Sequence, residues 1–397
     1  MAELFHPHPA NIVGILALGI WLHLLFGRGW FWRVLRVDAD RMAYEPLQGW
    51  PSVVAIVPAR NEAETIGKVV TGLVQQNYSG AFSIVVVDDH SEDGTEDIAS
   101  QIAGETPAER RVRIVRASDL PRGWTGKLWA LNEGVTSPSA TDAVEELPTY
   151  YWFTDADVSH GPDTLQRLVA RAEKDRLDLA SLMVLLQAKT FPERALIPAF
   201  LYFFLMLYPP RWIEDDDLAT AGAAGGCILL KREALARIGG FAAIRGDVID
   251  DCALAKAIKI SGGKVWMGLT RKSESLRAYK TFGEIRDLIA RTAFTQLRYS
   301  ALILAGTLAG MVLTYLAPVL LLFSHDSTAR TLGLTAWILM SGSFLRTVRF
   351  YRLSPLWAPL LPLTALFYIY ATWLSAVRYW VGKGGSWKGR SQAPKGA

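Results

Sequence analysis

The chain of 397 residues is poor in the features that announce several function classes. It has two cysteines, Cys227 and Cys252, and neither stands in a C-x-x-C. Two are too few for a disulfide framework, and both read as small semi-buried residues. The net charge is only +4, and no basic run is interleaved with aromatics. A single-strand reader needs such a run, so no nucleic-acid partner is expected. Neither G-x-G-x-x-G nor G-x-x-x-x-G-K-[ST] follows the first strand-like run, which argues against dinucleotide and P-loop sites. His90 and His160 lack zinc-type companions and read as supporting or solvent-facing residues.

What the chain has in excess is apolar residues, at 51%, with 14 Trp. The excess is concentrated. "NIVGILALGIWLHLLFG", 11–27, has about the length of a short membrane span and is interrupted only by His23. No Lys or Arg precedes it, whereas Arg28, Arg33 and Arg36 follow. A cleavable signal peptide has the opposite order, so the segment reads as an uncleaved anchor with its C-terminal side in the cytoplasm. Trp30 and Trp32 suit the interface. Three further blocks, 301–323, 332–345 and 356–377, lie near the other end. The first and third are long enough to span, and the second is marginal. Three crossings from a cytoplasmic domain would put the tail outside. The tail "RYWVGKGGSWKGRSQAPKG" and the loop "RTVRFYR" are both basic, and the positive-inside rule places both in the cytoplasm. The conflict is relieved if one Pro-containing block is re-entrant or interfacial.

Residues 50–270 have a different texture. "SVVAIVPA", "FSIVVVDDHS", "RVRIVRA" and "YYWFTDAD" read as strands, and helical patterns follow each. This alternation predicts an α/β domain with a parallel sheet, in which ligands bind at the carboxyl ends of the strands. Arg60, Asn61 and Glu62 follow the first strand, Asp88 and Asp89 end the second, and Asp155 and Asp157 end the fourth. Any one pair taken alone reads as a turn or helix cap, since Asp favours both. Three such clusters on one sheet edge point to a site. A D-x-D at a turning strand end suits Mg²⁺ or Mn²⁺, which binds through one or two carboxylates plus substrate phosphates. The competing role for Asp157 or Ser159 is to cap the following helix.

"VAIVPARNEAETI", "IVVVDDHSEDGT", "TGKLWALNEG", "FTDADV" and "GDVIDDCALAKAIKISGG" occur in the order seen in family 2 glycosyltransferases, and the chain resembles that family over roughly residues 50–300. Its overall appearance is most similar to the hopene-associated glycosyltransferases of bacteria. The resemblance implies an α/β fold of the GT-A type, flanked by N-terminal and C-terminal transmembrane helices. The expected divisions are an anchor at 1–30, the GT-A domain at 50–300, a transmembrane region at 301–380 and a basic tail at 381–397. It implies a divalent metal and a nucleotide-diphospho-sugar donor, a UDP-sugar in the common case. By the same likeness Pro58, Ala59, Arg60 and Glu62 line the nucleoside pocket, Asp89 accepts a hydrogen bond from the base, and Lys127 approaches the ribose or diphosphate. Asp155 contacts the ribose or a metal water, and Asp157 ligates the metal. Asp251 takes the position of the catalytic base, with Asp250 beside it. The alternative is that both acids merely favour a helix N-terminus. Gly225 and Gly226 let backbone lie close to the donor sugar or acceptor. Arg298 steadies the diphosphate or lies at the membrane interface; "RTAFTQLRYS" resembles the Q-x-x-R-W signature of processive members only poorly. "LIPAFLYFFLMLYPPRW", 196–212, reads as an interfacial segment that brings a lipid acceptor, or as a core helix. The function so implied is inverting transfer of a sugar to a membrane lipid, hopanoid or polyprenyl phosphate, by a multi-pass protein of the inner membrane with its catalytic domain in the cytoplasm. A processive polysaccharide synthase and a non-catalytic nucleotide-binding membrane scaffold are the alternatives.

Overall fold

A computed structural model describes residues 9–34, 37–41, 44–45, 47–106, 111–137 and 147–382, with the backbone of 386–387 and 390–391. Arg36 and the side chains of the basic tail beyond Gly382 lie outside the described residues. The chain divides into two compact units. One comprises residues 37–187, 212–278 and 385–397; the other comprises 1–36, 188–211 and 279–384.

The first unit is built on an eight-stranded sheet: β1 Val53–Ala59, β2 Phe82–Asp88, β3 Val112–Arg116, β4 Tyr150–Thr154, β5 Val158–His160, β6 Leu179–Leu185, β7 Cys227–Lys231 and β8 Val265–Ser275. Their order is β3-β2-β1-β4-β7-β6-β8-β5. Every residue of β1, β2 and β4 is buried, which is why these strands show no polar alternation: both sheet faces are covered. The helix Ile66–Val74 turns Ile66, Val69, Val70 and Leu73 inward. Close packing of the helix Gly126–Thr136 requires Gly134, where a Cβ would lie 2.5 Å from the Ile56 side chain.

β1 runs parallel to β2 and β4, and β2 parallel to β3, so their carboxyl ends reach one edge. The sheet is mixed, however, and not wholly parallel. β7 runs antiparallel to β4 and β6, and β5 antiparallel to β8. The reversal of β7 has a consequence: its first residue, Cys227, pairs with Thr154, the last of β4. The glycines just before β7 therefore share the edge with the aspartates just after β4. β5 also corrects the expected junction, in which the helix followed the fourth strand directly. That helix spans Thr164–Asp175, and its N-cap is Asp163, so neither Asp157 nor Ser159 caps it.

The second unit is helical. Among the described residues, four helical stretches are long and apolar enough to cross a membrane: Pro9–Gly27, Phe191–Glu214, Ala301–Phe323 and Pro355–Trp380. Block 332–345 is not among them. It sits inside the helix Ser327–Phe350, which carries Arg330, Arg346 and Arg349 and is diluted by Ser, Thr and Gly. The stretch at 196–212 takes its place. Its helix, Phe191–Leu207, opens on a capping box of Thr190 and Glu193. Three large polar side chains here find buried partners, as apolar surroundings favour. Trp21 Nε1 donates to Thr314 O (2.9 Å), Tyr368 Oη to Leu196 O (3.0 Å), and Tyr202 Oη lies 2.7 Å from Ser343 Oγ.

Candidate active site at the strand ends

The loops after β1 and β2 are stitched together. Asp89 N–H donates to Ala59 O (2.8 Å), Asn61 N–H to Ser91 Oγ (3.0 Å), Glu92 N–H to Asn61 Oδ1 (2.9 Å) and Glu62 N–H to Thr95 Oγ1 (2.8 Å). Asn61 and His90 adopt positive φ (51° and 57°) at the two turns. Arg60 donates to the carbonyl of Asp89, and its Nη1 lies 3.6 Å from Asp89 Oδ2. The Asp89 carboxylate is fully buried, so this cation compensates a charge that water does not reach. Its neighbour Asp88 has a local task, accepting from Ser91 N–H (3.0 Å).

The segment after β4 turns sharply: Val158 N–H donates to Asp155 O (3.2 Å). The end of β8 grips it, with Leu276 N–H donating to Asp157 O (2.7 Å), and Thr65 Oγ1 donates to Ala156 O (2.9 Å). His160 supports this turn from below. It is buried, not solvent-facing, and its ring nitrogens lie 2.7 Å from Thr154 Oγ1 and 2.9 Å from Ser273 Oγ. Burial pushes its value down to about 3, so the ring is neutral. The cysteines are fully interior: Cys227 Sγ accepts from Trp152 Nε1 (3.3 Å), and Cys252 is buried too.

Lys127 joins the clusters. The helix Gly126–Thr136 starts at Thr125, whose Oγ1 accepts from Leu128 N–H. Lys127 projects from the first turn, and its Nζ lies 2.7 Å from Asp155 Oδ1 and 3.6 Å from Asp250 Oδ2. Its side chain is only 17% exposed, so it is no surface lysine. Burial opposes its charge, but Asp155, Asp250 and Asp251 outweigh that and hold the ammonium above the usual lysine range. A positive charge at a helix N-terminus is disfavoured by the dipole, and these carboxylates remove the conflict.

Asp250 and Asp251 open the helix Asp250–Ile260. The helix-start reading is thus realised, yet Asp251 is held by more. Its Oδ2 accepts from Gly225 N–H (2.9 Å) and its Oδ1 from Cys252 N–H (2.7 Å). Gly225 is a close approach: a Cβ there would lie 3.1 Å from Lys127 Nζ and 3.4 Å from Asp251 Oδ2. At Gly226 a Cβ would meet Val184 at 3.2 Å. The other end of the same helix holds the chain leading to Gly225, since Lys259 Nζ lies 2.7–3.1 Å from the carbonyls of Trp212, Ile213, Asp215 and Thr220. A small cleft lined by Pro58, Lys127, Asp155, Gly225, Asp250 and Asp251 lies at the centre.

Two carboxyls are pushed up to about 6. For Asp251 the causes are burial and then Asp250, opposed by Lys127 and the two backbone donors. For Asp157 they are burial, then Asp155 and Glu62, opposed by Arg277 and Lys127. Arg277, just beyond β8, acts on Asp157 through its charge, and no motif announces it. The crowding of Asp157 by like charge is an arrangement that a divalent cation would relieve. Among the described residues no three His, Cys, Asp or Glu side chains converge on one point. The donor set fits an ion held by Asp157 and Asp155 with the rest of its shell from phosphate oxygens and water.

Arg298 belongs to the helical unit, at a turn of positive φ (53°) after the helix Phe282–Gln296. Beside it, Gln296 is engaged by Tyr208 Oη (2.9 Å) and Thr295 Oγ1 donates to Tyr299 Oη (3.1 Å).

The family profile "Glycosyl transferase family 2" matches residues 54–239. A beta-monoglucosyldiacylglycerol synthase of Synechocystis is 34% identical over 137 residues, which take in 34% of this chain and 25% of that protein. The chain thus spans about a quarter of the length of the curated relative it matches. Among solved structures, a mannosyltransferase from Pyrobaculum calidifontis, in complex with GDP-Man and Mn²⁺, superposes with a TM-score of 0.56 at 18% identity. That match covers 93% of this chain and 99% of the other. A mannosyl-3-phosphoglycerate synthase from Rubrobacter xylanophilus is more distant, with a TM-score of 0.38 at 16% identity over 71% of this chain and 81% of that one. Both polar strand ends and the D-x-D lie within the matched segment, so residues 54–239 resemble a glycosyl transferase family 2 domain, and the fold of the unit is of the GT-A α/β type.

Proposed function

We propose that the protein is an inverting glycosyltransferase that moves a sugar from a nucleotide-diphospho-sugar onto a lipid in the membrane. The observation that carries this reading is the convergence of Lys127, Asp155, Asp250 and Asp251 around the Gly225 N–H. A carboxylate held by two backbone donors stands beside a cation aimed at the D-x-D corner, which are the two parts that displacement at an anomeric carbon needs.

In this reading Asp251 takes the proton from the acceptor hydroxyl. The acceptor oxygen then forms a bond to the anomeric carbon as the bond to the diphosphate oxygen breaks, with inversion. Lys127 leaves its carboxylates to meet the departing diphosphate as a point charge. Arg60 and Asp89, with Pro58 to Glu62, form the nucleoside end. A divalent ion, Mg²⁺ or Mn²⁺, would be held by Asp157 and Asp155 and would supply charge stabilisation to the leaving group. The solved relative's GDP-Man and Mn²⁺ and the monoglucosyldiacylglycerol named as the curated relative's product support a metal, a nucleotide sugar and a lipid acceptor in general terms. A UDP-sugar donor and a hopanoid or polyprenyl phosphate acceptor are the specific forms that the family resemblance suggests. Four apolar helices support a multi-pass membrane protein, and the arginines after residue 27 support a cytoplasmic catalytic domain. The test is to incubate membranes carrying the protein with a panel of labelled nucleotide sugars and to identify the labelled product. A labelled lipid that vanishes with Asp251→Asn is expected; label in a long polysaccharide, or none from any donor, would overturn the reading.

A further inference from the structure

Within the helical unit, Pro9–Leu22 and Ser327–Phe350 run side by side in the same direction. Asn11 Nδ2 donates to Asp326 Oδ2 (3.3 Å) near one end, and a Cβ on Gly14 would lie 2.9 Å from Leu332. At the other end Arg346 stacks over Trp32 (4.7 Å). The basic residues that follow the first apolar block and the basic loop "RTVRFYR" therefore share one end of this pair.

That end is a cluster of cations on indoles. The Arg33 guanidinium lies 3.9 Å from the Trp30 ring centre and 5.3 Å from that of Trp32. Trp32 is pinned by donating from Nε1 to Leu25 O (2.9 Å), and Arg28 Nε donates to Met206 O (2.9 Å). Arg349 lies one turn beyond Arg346 and Arg352 follows at positive φ (56°). Arg346, Arg349 and Arg352 are exposed, and none has an ion pair among the described residues. Apolar surface adjoins the cluster: Phe26 is 60% exposed and packs 5.6 Å from Trp30, and Ile338 is 61% exposed two turns before Arg346. Stacked guanidiniums keep their fork of donors outward, in a geometry that matches phosphate oxygens.

We infer that the Trp30–Trp32–Arg33–Arg346–Arg349 cluster binds the phosphate of an anionic glycerophospholipid, whose acyl chains lie on the adjoining apolar surface. A free phosphate would use the same arginines but not the hydrocarbon face, and that difference makes the source testable. Basic pockets between apolar helices at the cytoplasmic side take anionic lipid headgroups on this principle.

The test uses the full chain in a neutral detergent, titrated with short-chain phosphatidylglycerol or phosphatidylcholine and read by native mass spectrometry. Phosphatidylglycerol should be retained and phosphatidylcholine should not. Arg346→Gln should weaken retention on the order of fivefold, and Arg346→Gln with Arg349→Gln about 25-fold. Arg330→Gln removes the same charge from the opposite end of the same helix and should leave retention unchanged. Trp32→Leu alters no charge and should also weaken it, by releasing Arg346 and removing one of the two rings beside Arg33. Inorganic phosphate at the lipid's own concentration should not compete. Equal losses for Arg330→Gln and Arg346→Gln would overturn the site, as would equal retention of the two lipids or displacement by inorganic phosphate. Arg346→Lys keeps the charge and distinguishes a lost contact from a misfolded helix, since it should retain lipid better than Arg346→Gln.

Discussion

Asp157 and Asp251 are both pushed up to about 6, yet their surroundings differ. Asp251 is gripped: two backbone N–H groups hold its two oxygens, and Lys127 lies in its field. Asp157 is crowded: Asp155 and Glu62 oppose its charge, and among the described residues no hydrogen bond reaches its carboxylate. A fixed carboxylate keeps one direction and suits proton abstraction. A crowded one with open oxygens suits a cation. Similar acidities thus arise from different causes, and the cause, more than the value, distinguishes the two proposed roles.

The largest effect that tests this contrast is Asp251→Asn. Transfer should fall by about 10²–10⁴-fold, with affinity for the nucleoside diphosphate retained, as checked by product formation and by calorimetry. Asp157→Asn should instead raise the metal concentration needed for half-maximal donor binding. If the two variants show the same profile, the contrast is broken.

Lys127→Met comes next. It removes the cation between Asp155 and Asp250, and donor affinity should drop roughly 30-fold or more, the scale of truncating one partner of a hydrogen-bonded charge pair. Gly225→Ala should cost roughly tenfold in kcat with the donor KM less affected, because the new Cβ forces Lys127 and Asp251 to shift.

The smallest effect is a shift in pH dependence. Asp251, as the proposed base, must be ionised, so transfer should fall as the pH drops through about 6. Lys127 lowers the Asp251 value, so Lys127→Met should move that limb upward, and a kcat/KM profile reads this directly. The sign for stability is opposite. A carboxyl whose folded value lies above its unfolded one favours the folded state at low pH and opposes it above about 6. Asp251→Asn should therefore leave the Tm at pH 7 unchanged or higher, which thermal unfolding would check.

Much of the α/β unit was legible because buried parallel strands have a strong signature. "SVVAIVPA", "FSIVVVDD" and "YYWFTDAD" became β1, β2 and β4, and their polar ends do meet at one edge. β7 was not legible as antiparallel, since a short apolar run such as "CILLK" carries no sign of direction. Nor was β5 predicted, because three residues are too few for a period. Arg277 and the buried role of His160 were missed for a related reason: both act through β8, more than 100 positions from the turn after β4. In the helical unit, hydropathy found three of the four apolar helices as spans. It set aside 196–212 as interfacial or core, because aromatics and prolines serve either purpose.

The sequence by itself determined the composition of each strand end, the order of the motifs and the apolar blocks, since these depend on local pattern alone. Only the tertiary structure decided which acid is gripped and which is crowded. That depends on the Gly225 N–H, Lys127 and Glu62, brought together from separate loops by the reversed strand β7 and the crossovers around β1. Electrostatics acts over ångströms in space, and chain pattern carries no such distances.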